Sequence, residues 1–312
     1  MIKIVTIFDS NYASLGFSMM ESAVKNINDE ILFDIYPLDN FHDSIKKFCC
    51  SRSINFNYHD SFFKQKSILD RKKTREYSNF IFSLTPSILL ESMKADNCEL
   101  MIYLDADTFF FNKLDISFFK DLKKPIHLVP HQFDKKNKKL IKYGRINVGW
   151  MSFDVNNFQS TEFLKWWENK CIQSTETSDQ SLKNGIFGDQ LYLDHAKKFF
   201  DVEEILFSGI NVAPWNFQSY LKQKPNFDIK MYHFHHLYRD KNFYYLPSLY
   251  YKRLTSKKEK VFYRDYLQTI NKIQSEFNLN ASLSNKRRSS SFFKRLLLYF
   301  SREMIPISKF KT

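Results

Sequence analysis

Two aspartates separated by one residue, in Tyr103-Leu104-Asp105-Ala106-Asp107, follow directly on the apolar run Leu100–Leu104. Carboxylates spaced in this way just past a buried strand can converge on one hard divalent cation. Such a cation also accepts the oxygens of a diphosphate, and so joins protein to ligand. Alone, an Asp-x-Asp is most often a solvated turn. Its neighbours give it more weight here. Asn147-Val148-Gly149-Trp150 opens another apolar run, with a glycine that admits close backbone approach. Phe187-Gly188-Asp189-Gln190 sets a carboxylate and an amide at a loop-to-helix junction. Ala213-Pro214-Trp215-Asn216 is a turn with a bulky anchor, and Tyr232-His233-Phe234-His235-His236 brings three imidazoles into four positions.

These groups need a frame to position them. Ile2–Phe8 reads as a buried strand, Leu15–Ile27 as a helix and Ile31–Leu38 as a second strand, an opening that predicts a parallel sheet with helices on its faces. Leu100–Leu104, Pro125–Val129, Val148–Phe153 and Lys230–His235 read as further strands. Thr74–Lys94 reads as one or two helices broken near Pro86, Thr161–Cys171 as a helix, and Asp189–Phe199 as another. Ser44–Lys73 has no readable period. Ligands enter open α/β sheets at the carboxyl ends of the strands, which is where Asp105 and Asp107 fall.

In this order, Phe8-Asp9-Ser10-Asn11-Tyr12, Leu104-Asp105-Ala106-Asp107, Asn147-Val148-Gly149, Gly188-Asp189-Gln190 and His233-Phe234 resemble the glycosyltransferases of the GT-A fold related to glycogenin and to bacterial lipopolysaccharide galactosyl- and glucosyltransferases. The resemblance spans about residues 1–241. It implies an α/β fold with a mixed central sheet over 1–240; beyond that the sequence turns to a basic helical character, read as an extension (241–280). The resemblance also implies a nucleotide-diphospho-sugar donor, a UDP-sugar by preference, a saccharide or lipid-linked acceptor such as a surface glycan, and retention of anomeric configuration. By resemblance, Asp105, Asp107 and His233 would hold Mn²⁺ or Mg²⁺, with His235 the substitute imidazole. Phe8, Asp9 and Tyr12 would hold the base. Asn147, Gly149 and Asp189 would position the donor sugar, Gln190 would lie near the anomeric carbon, Arg239 would grip the diphosphate, and Arg75 would touch phosphate or sugar. The family's Gly-x-x-Lys-Pro-Trp ending is replaced by His235-His236-Leu237-Tyr238-Arg239.

Composition sets the outer bounds. The 312 residues carry a net charge of +13 and 17 % aromatic residues, so a packed core and anionic partners are expected. The four cysteines form no zinc or disulfide spacing, and no signal peptide or spanning segment is read, which fits a cytoplasmic protein. Lys286-Arg287-Arg288 precedes Phe292-Phe293-Lys294-Arg295-Leu296-Leu297-Leu298. This basic linker and amphipathic tail (281–312) is expected to lie on an anionic membrane, on its inner face. Two rival readings remain. Asp105-Ala106-Asp107-Thr108 also fits the haloacid-dehalogenase-type phosphatases, with Asp105 as nucleophile, Asp107 as acid/base, and Asp189 with Asp194 as the later acidic pair. That motif would follow about a hundred residues of α/β sequence, whereas those enzymes usually begin with it. A basic nucleic-acid-binding protein is the other; no nucleic-acid motif is present, so nucleic acid is not expected as a partner.

Overall fold

The computed structural model describes the whole chain except residues 95–97, 225, 227, 252, 280–297, 299, 300, 302, 311 and 312. Its first strand, β1 (Ile2–Phe8), is β-branched on both faces, and the faces go to different cores. Ile2, Ile4 and Phe8 join one apolar cluster and Val5 a second, the two-residue alternation of a strand covered on both sides. The helix α1 (Ala13–Asn26) and strands β2 (Ile31–Pro37) and β3 (Asn55–Tyr58) extend the first cluster. The unreadable stretch 44–73 holds α2 (His42–Ser51), β3, a 3₁₀ turn (Asp60–Lys64) and α3 (Lys66–Thr74). Next come α4 (Tyr77–Phe82) and α5 (Thr85–Ser92), with Pro86 in the first turn of α5. A proline fits there because that turn's N–H needs no helical partner.

Strand β4 (Leu100–Leu104) pairs parallel with β1, and the short β5 (Thr108–Phe110) follows the aspartate turn. After α6 (Ser117–Lys120) come β6 (Ile126–Pro130) and β7 (Ile146–Asp154). Then follow α7 (Phe158–Gln173), α8 (Asp179–Lys183), a 3₁₀ helix (Leu191–Lys198), and β8 (Val202–Glu204). The central sheet has seven strands in the order β3-β2-β1-β4-β7-β6-β8. Only β7 runs against its neighbours, so the expected parallel half is present and the whole sheet is mixed. Its reversal brings the start of β7 to the same edge as the ends of β1, β4 and β6. Asp9, Asp105, His131 and Asn147 therefore gather along one rim.

The rest of the chain packs against β5 and α1. Helix α9 (Phe217–Gln223) leads to β9 (Met231–His233), which pairs antiparallel with β5. Strands β10 (Tyr238–Arg239) and β11 (Phe243–Tyr245) precede α10 (Ser248–Tyr251) and α11 (Lys257–Phe277). Ser256 caps α11 by accepting from Glu259 N–H, and Asn278 ends it in a left-handed conformation. Along α11, Tyr263, Tyr266, Leu267 and Ile270 recur at helical spacing and pack with Leu15, Tyr232 and Phe234 in a third cluster. The helical extension thus shares a core with the strand that carries His233. Near the end of the chain, β12 (Met304–Pro306) pairs with β11, and the buried Glu303 accepts from Thr255 and Lys260. Of the expected linker and amphipathic tail (281–312), Leu298, Ser301 and residues 303–310 are described, and the rest lies outside the described residues. No helix among the described residues is long and apolar enough to cross a membrane.

Candidate metal centre and cleft

Asp105 and Asp107 sit in a tight turn between β4 and β5. Thr108 closes it, donating from both its N–H and its hydroxyl to the Asp105 carbonyl. The phenol of Tyr103 donates to Asp105 Oδ1 at 2.9 Å, and Phe234 N–H donates to the Asp107 carbonyl. Register does the rest: β5 and β9 pair Thr108 with His233, and this delivers the imidazole to the turn. His233 Nε2 lies 3.1 Å from Asp107 Oδ1 and 3.7 Å from Asp105 Oδ2.

A chain of amides fixes which way that imidazole points. Gly149 N–H can only donate, so the Asn147 atom 2.9 Å away is the carbonyl oxygen Oδ1. The same oxygen accepts from Asn211 Nδ2 at 2.7 Å. Asn211 Oδ1 must then face His233 Nδ1, 3.0 Å away, and that nitrogen must donate. Nε2 is left with a lone pair turned toward two carboxylates. The other end of the chain is equally determined. Asn147 Nδ2 donates to His131 Nε2, so His131 carries its proton on Nδ1, facing the Arg145 carbonyl. Burial pushes His131 down to about 3, which keeps it neutral.

The backbone supports this chain through an irregularity. Leu128 pairs with Met151, but the next residue, Val129, pairs with Asn147, so Val148–Trp150 bulge away from β6. Gly149 sits in that bulge, and a Cβ there would stand 2.5 Å from His233 Nδ1 and 2.8 Å from Asn147 Oδ1. The glycine is required by packing. Asn211, with φ +57°, adopts the left-handed backbone that asparagine tolerates. Asn216 secures the following turn by accepting from Ala213 N–H and donating to the His131 carbonyl. Trp215 stands edge-on to His131, His233 and His235.

The residues fit a divalent ion. Ligand atoms of Asp105, Asp107 and His233 lie within 4.8 Å of one another. Two carboxylate oxygens and an imidazole nitrogen form a donor set for a divalent cation. A lone pair facing two anions is tolerable only with a cation or a proton between them. Consistent with this, burial works to lower the His233 pKa, yet the Asp107 and then the Asp105 carboxylate raise it overall. Burial also raises Asp105, while for Asp107 the opposing pull of His233 wins and lowers it. His235, the substitute ligand expected from sequence, is not in this group. Its Nδ1 pairs with the Tyr251 hydroxyl at 2.6 Å, and burial holds its pKa well below the usual value.

Beside the aspartate turn lies a cleft of about 570 Å³. Asn147, Asp189 and Gln190 line one side, and Phe133, Tyr143, Phe187, Trp215 and Tyr250 supply aromatic walls. Gln190 donates to the Tyr143 carbonyl at 2.7 Å, and Trp167 donates to the Asp189 carbonyl at 2.8 Å, so both residues are held from behind. Burial, and then the nearby charge of Asp105, push Asp189 up to about 7. Asp194 does not join it. Both Asp194 oxygens accept backbone N–H groups of Arg145 and Ile146, so the acidic pair required by the phosphatase reading is not assembled.

Other residues singled out from sequence fall in different places. Asp9 caps the 3₁₀ turn Ser10–Tyr12 by accepting from Tyr12 N–H, at the rim beside β4. The Phe8 side chain is buried against Phe17 and Phe41, so only its backbone faces that turn. Arg75 is away from the cleft lining. Its guanidinium donates to the carbonyls of Cys171 and Ile172 and to Thr175, tying down the end of α7. Arg239 is likewise absent from the lining: it donates to Gln274 and Tyr244 and lies over the Tyr244 ring. Asn211 and His131 were missed by sequence reading. Neither lies in a recognisable motif, and their roles depend on the bulge in β7.

No family model and no curated protein matches the chain. Solved structures do. WbbM, a bifunctional glycosyltransferase in its apo form, superposes with a TM-score of 0.52 at 13 % identity, over 86 % of this chain and 49 % of its own. The chain thus spans about half the length of that protein. The galactosyltransferase LgtC, in complex with donor and acceptor sugar analogues, also superposes with a TM-score of 0.52 at 13 % identity, over 86 % of this chain and 95 % of its own. At such identity the likeness is one of fold. The chain has the mixed α/β GT-A fold of these two proteins.

Proposed function

We propose that this protein is a divalent-metal-dependent glycosyltransferase that moves a hexose-type sugar from a nucleotide diphosphate, by preference UDP, to a saccharide acceptor with retention of anomeric configuration. The observation that carries this reading is the meeting of Asp105, Asp107 and His233 at the carboxyl edge of the sheet, beside a cleft of sugar size. A divalent ion held there supplies Lewis acidity toward the negative charge of a departing diphosphate. The protein's own groups divide the remaining tasks. The Asp9–Tyr12 turn, on the strand next to β4, would hold the base. Burial favours the protonated form of Asp189, which can then donate a hydrogen bond to a sugar oxygen. Gln190, fixed by Tyr143, walls the position beside it, and the aromatic lining offers faces on which a sugar ring can pack. Gln190 is a poor nucleophile, so no covalent sugar–enzyme intermediate is expected.

The acceptor is proposed to be a glycan or lipid-linked saccharide, reached by a protein resting on the inner face of a membrane through its basic tail. A panel of nucleotide-sugars with Mn²⁺, read by donor hydrolysis and thermal stabilisation, tests the central claim. Stabilisation by a UDP-sugar that requires Mn²⁺ and disappears in Asp107→Asn supports it. Stabilisation by none of the panel refutes it. Asp107→Asn should also cost about 10²-fold in turnover, the usual scale for losing a group that stabilises developing charge.

A further inference from the structure

The segment after β6 carries a pattern that the proposed reaction does not use. In Asp134-Lys135-Lys136-Asn137-Lys138-Lys139-Leu140-Ile141-Lys142-Tyr143, five of eight residues from 135 to 142 are lysines, and no acid follows Asp134 until Asp154. The chain forms a turn and then a 3₁₀ helix over Lys138–Tyr143. Three residues per turn put Asp134, Asn137, Leu140 and Tyr143 on one face. That face is fastened. Asp134 is buried and accepts from the N–H groups of Gln218 and Ser219. Asn137 donates to the Trp215 carbonyl, and Leu140 packs with Ala213, Trp215 and Tyr251. The Tyr143 carbonyl accepts from Gln190, and its ring meets Phe187.

All five lysines occupy the remaining positions and are exposed. The ion pairs nearest in sequence, Lys124–Glu203 and Arg145–Glu204, lie outside the segment, and none of the five pairs with a described carboxylate. Lys139 also lines the cleft together with Gln190 and Asp189. The fastened segment thus presents five exposed ammonium groups with no described carboxylate partner, and Lys139 among them reaches the wall of the sugar-sized cleft. A solvated surface of scattered lysines would need neither the buried aspartate nor the three-residue period. A flat bilayer surface could not enter a cleft lined by Tyr143, Phe187 and Tyr250. A saccharide with an acidic substituent could: its ring would stack on the aromatic walls while its charge met the lysines.

We infer that the acceptor is an acidic saccharide, bearing phosphate or carboxylate, and that Lys135–Lys142 recognises its charge. The inference rests on the proposed transferase reading, but its test does not require transfer. The full chain is titrated with glucose 6-phosphate and with glucuronate, each against glucose, following the change in tryptophan fluorescence, to which Trp215 in the cleft wall contributes. The charged sugars should bind roughly three- to tenfold more tightly at low salt, the scale of one or two exposed ion pairs, and the preference should shrink at about 0.5 M salt. Replacing all five lysines with glutamine should abolish the preference, and the single charge reversal Lys139→Glu should reduce it in a protein with an unchanged melting temperature. Equal binding of charged and neutral sugars, or binding of neither, overturns the inference. So does an equal loss of UDP–Mn²⁺ affinity in the glutamine variant, which would assign the lysines to the donor, or a loss confined to anionic phosphatidylglycerol vesicles, which would assign them to a membrane. If the nucleotide-sugar panel fails while the charged-sugar preference stands, the transferase reading falls and the acidic-saccharide site remains.

Discussion

Replacing Asn211 should weaken the metal site without touching any ligand. Among the described residues its carboxamide oxygen is the one acceptor for His233 Nδ1–H, and its NH₂ is held by the Asn147 oxygen, which Gly149 N–H also occupies. Asn211→Gly suits the left-handed backbone at φ +57° and removes both bonds. The imidazole then loses its fixed tautomer and orientation, since either nitrogen can carry the proton. Loss of such an outer-shell partner typically lowers metal affinity by about 10- to 100-fold, or roughly 1.4–2.7 kcal/mol. The buried Nδ1–H left without a partner should cost a further 1–3 kcal/mol, roughly, of folding stability. Asn211→Asp keeps an acceptor at Nδ1 and keeps a residue that tolerates the backbone. It should therefore hold Mn²⁺ far better than the glycine variant, even though it loses the bond to Asn147. Isothermal titration with Mn²⁺ on all three proteins, with melting curves to verify folding, decides the matter. A folded Asn211→Gly protein whose Mn²⁺ affinity lies within twofold of the natural chain would refute the reasoning, as would an aspartate variant no better than glycine.

Three further outcomes follow from the same geometry. Gly149→Ala forces a methyl against His233 and Asn147, so it should destabilise the fold by about 1–3 kcal/mol and reduce Mn²⁺ binding, as melting curves and titration would register. Asp189 is raised from its ordinary 3.8 to about 7, so its contribution is fully present below pH 3.8 and is lost as pH climbs through 7. Relative to Asp189→Asn, the metal-free protein should lose stability between about pH 4 and 7 at up to roughly 1 kcal/mol per unit and then level off, and denaturant midpoints across that window would expose a missing slope. For the proposed membrane tail, truncation is a poor probe, because Glu303 and β12 are built into the fold. Lys286→Ser, Arg287→Ser and Arg288→Ser together should instead weaken binding to anionic vesicles by about 1 kcal/mol per charge, and unchanged co-sedimentation would dismiss the tail as an anchor.

What the sequence made legible was the part encoded locally. An apolar run ending in Asp105-Ala106-Asp107 declares both the strand and the ligands, because strand burial and turn chemistry act over a few residues. The mixed character of the sheet was legible only by resemblance, since nothing in Ile146–Asp154 says that it runs against β4 and β6. The segment 44–73 resisted reading for another reason: its elements are short and expose much of their surface, so no apolar period develops. Arg75 and Arg239 illustrate a limit of position alone. Each is a cation beside a functional motif, yet each is engaged elsewhere, Arg75 with the carbonyls at the end of α7 and Arg239 with Gln274 and Tyr244.

The least legible feature is also the one on which the site's chemistry turns. Resemblance assigns His233 to the metal, but a motif does not say which nitrogen is available. That is decided by a backbone N–H in a bulge, passed through two asparagines 64 residues apart. The bulge exists because Val148–Trp150 leave β6 while Trp150 still pairs with Leu104, and this keeps Gly149 beside the aspartate turn. Strand register, bulge, amide polarity and imidazole tautomer thus form one dependent series. A change at any member should be felt at Nε2, and the Asp105–Asp107 pair would then face a proton where the series now offers a lone pair.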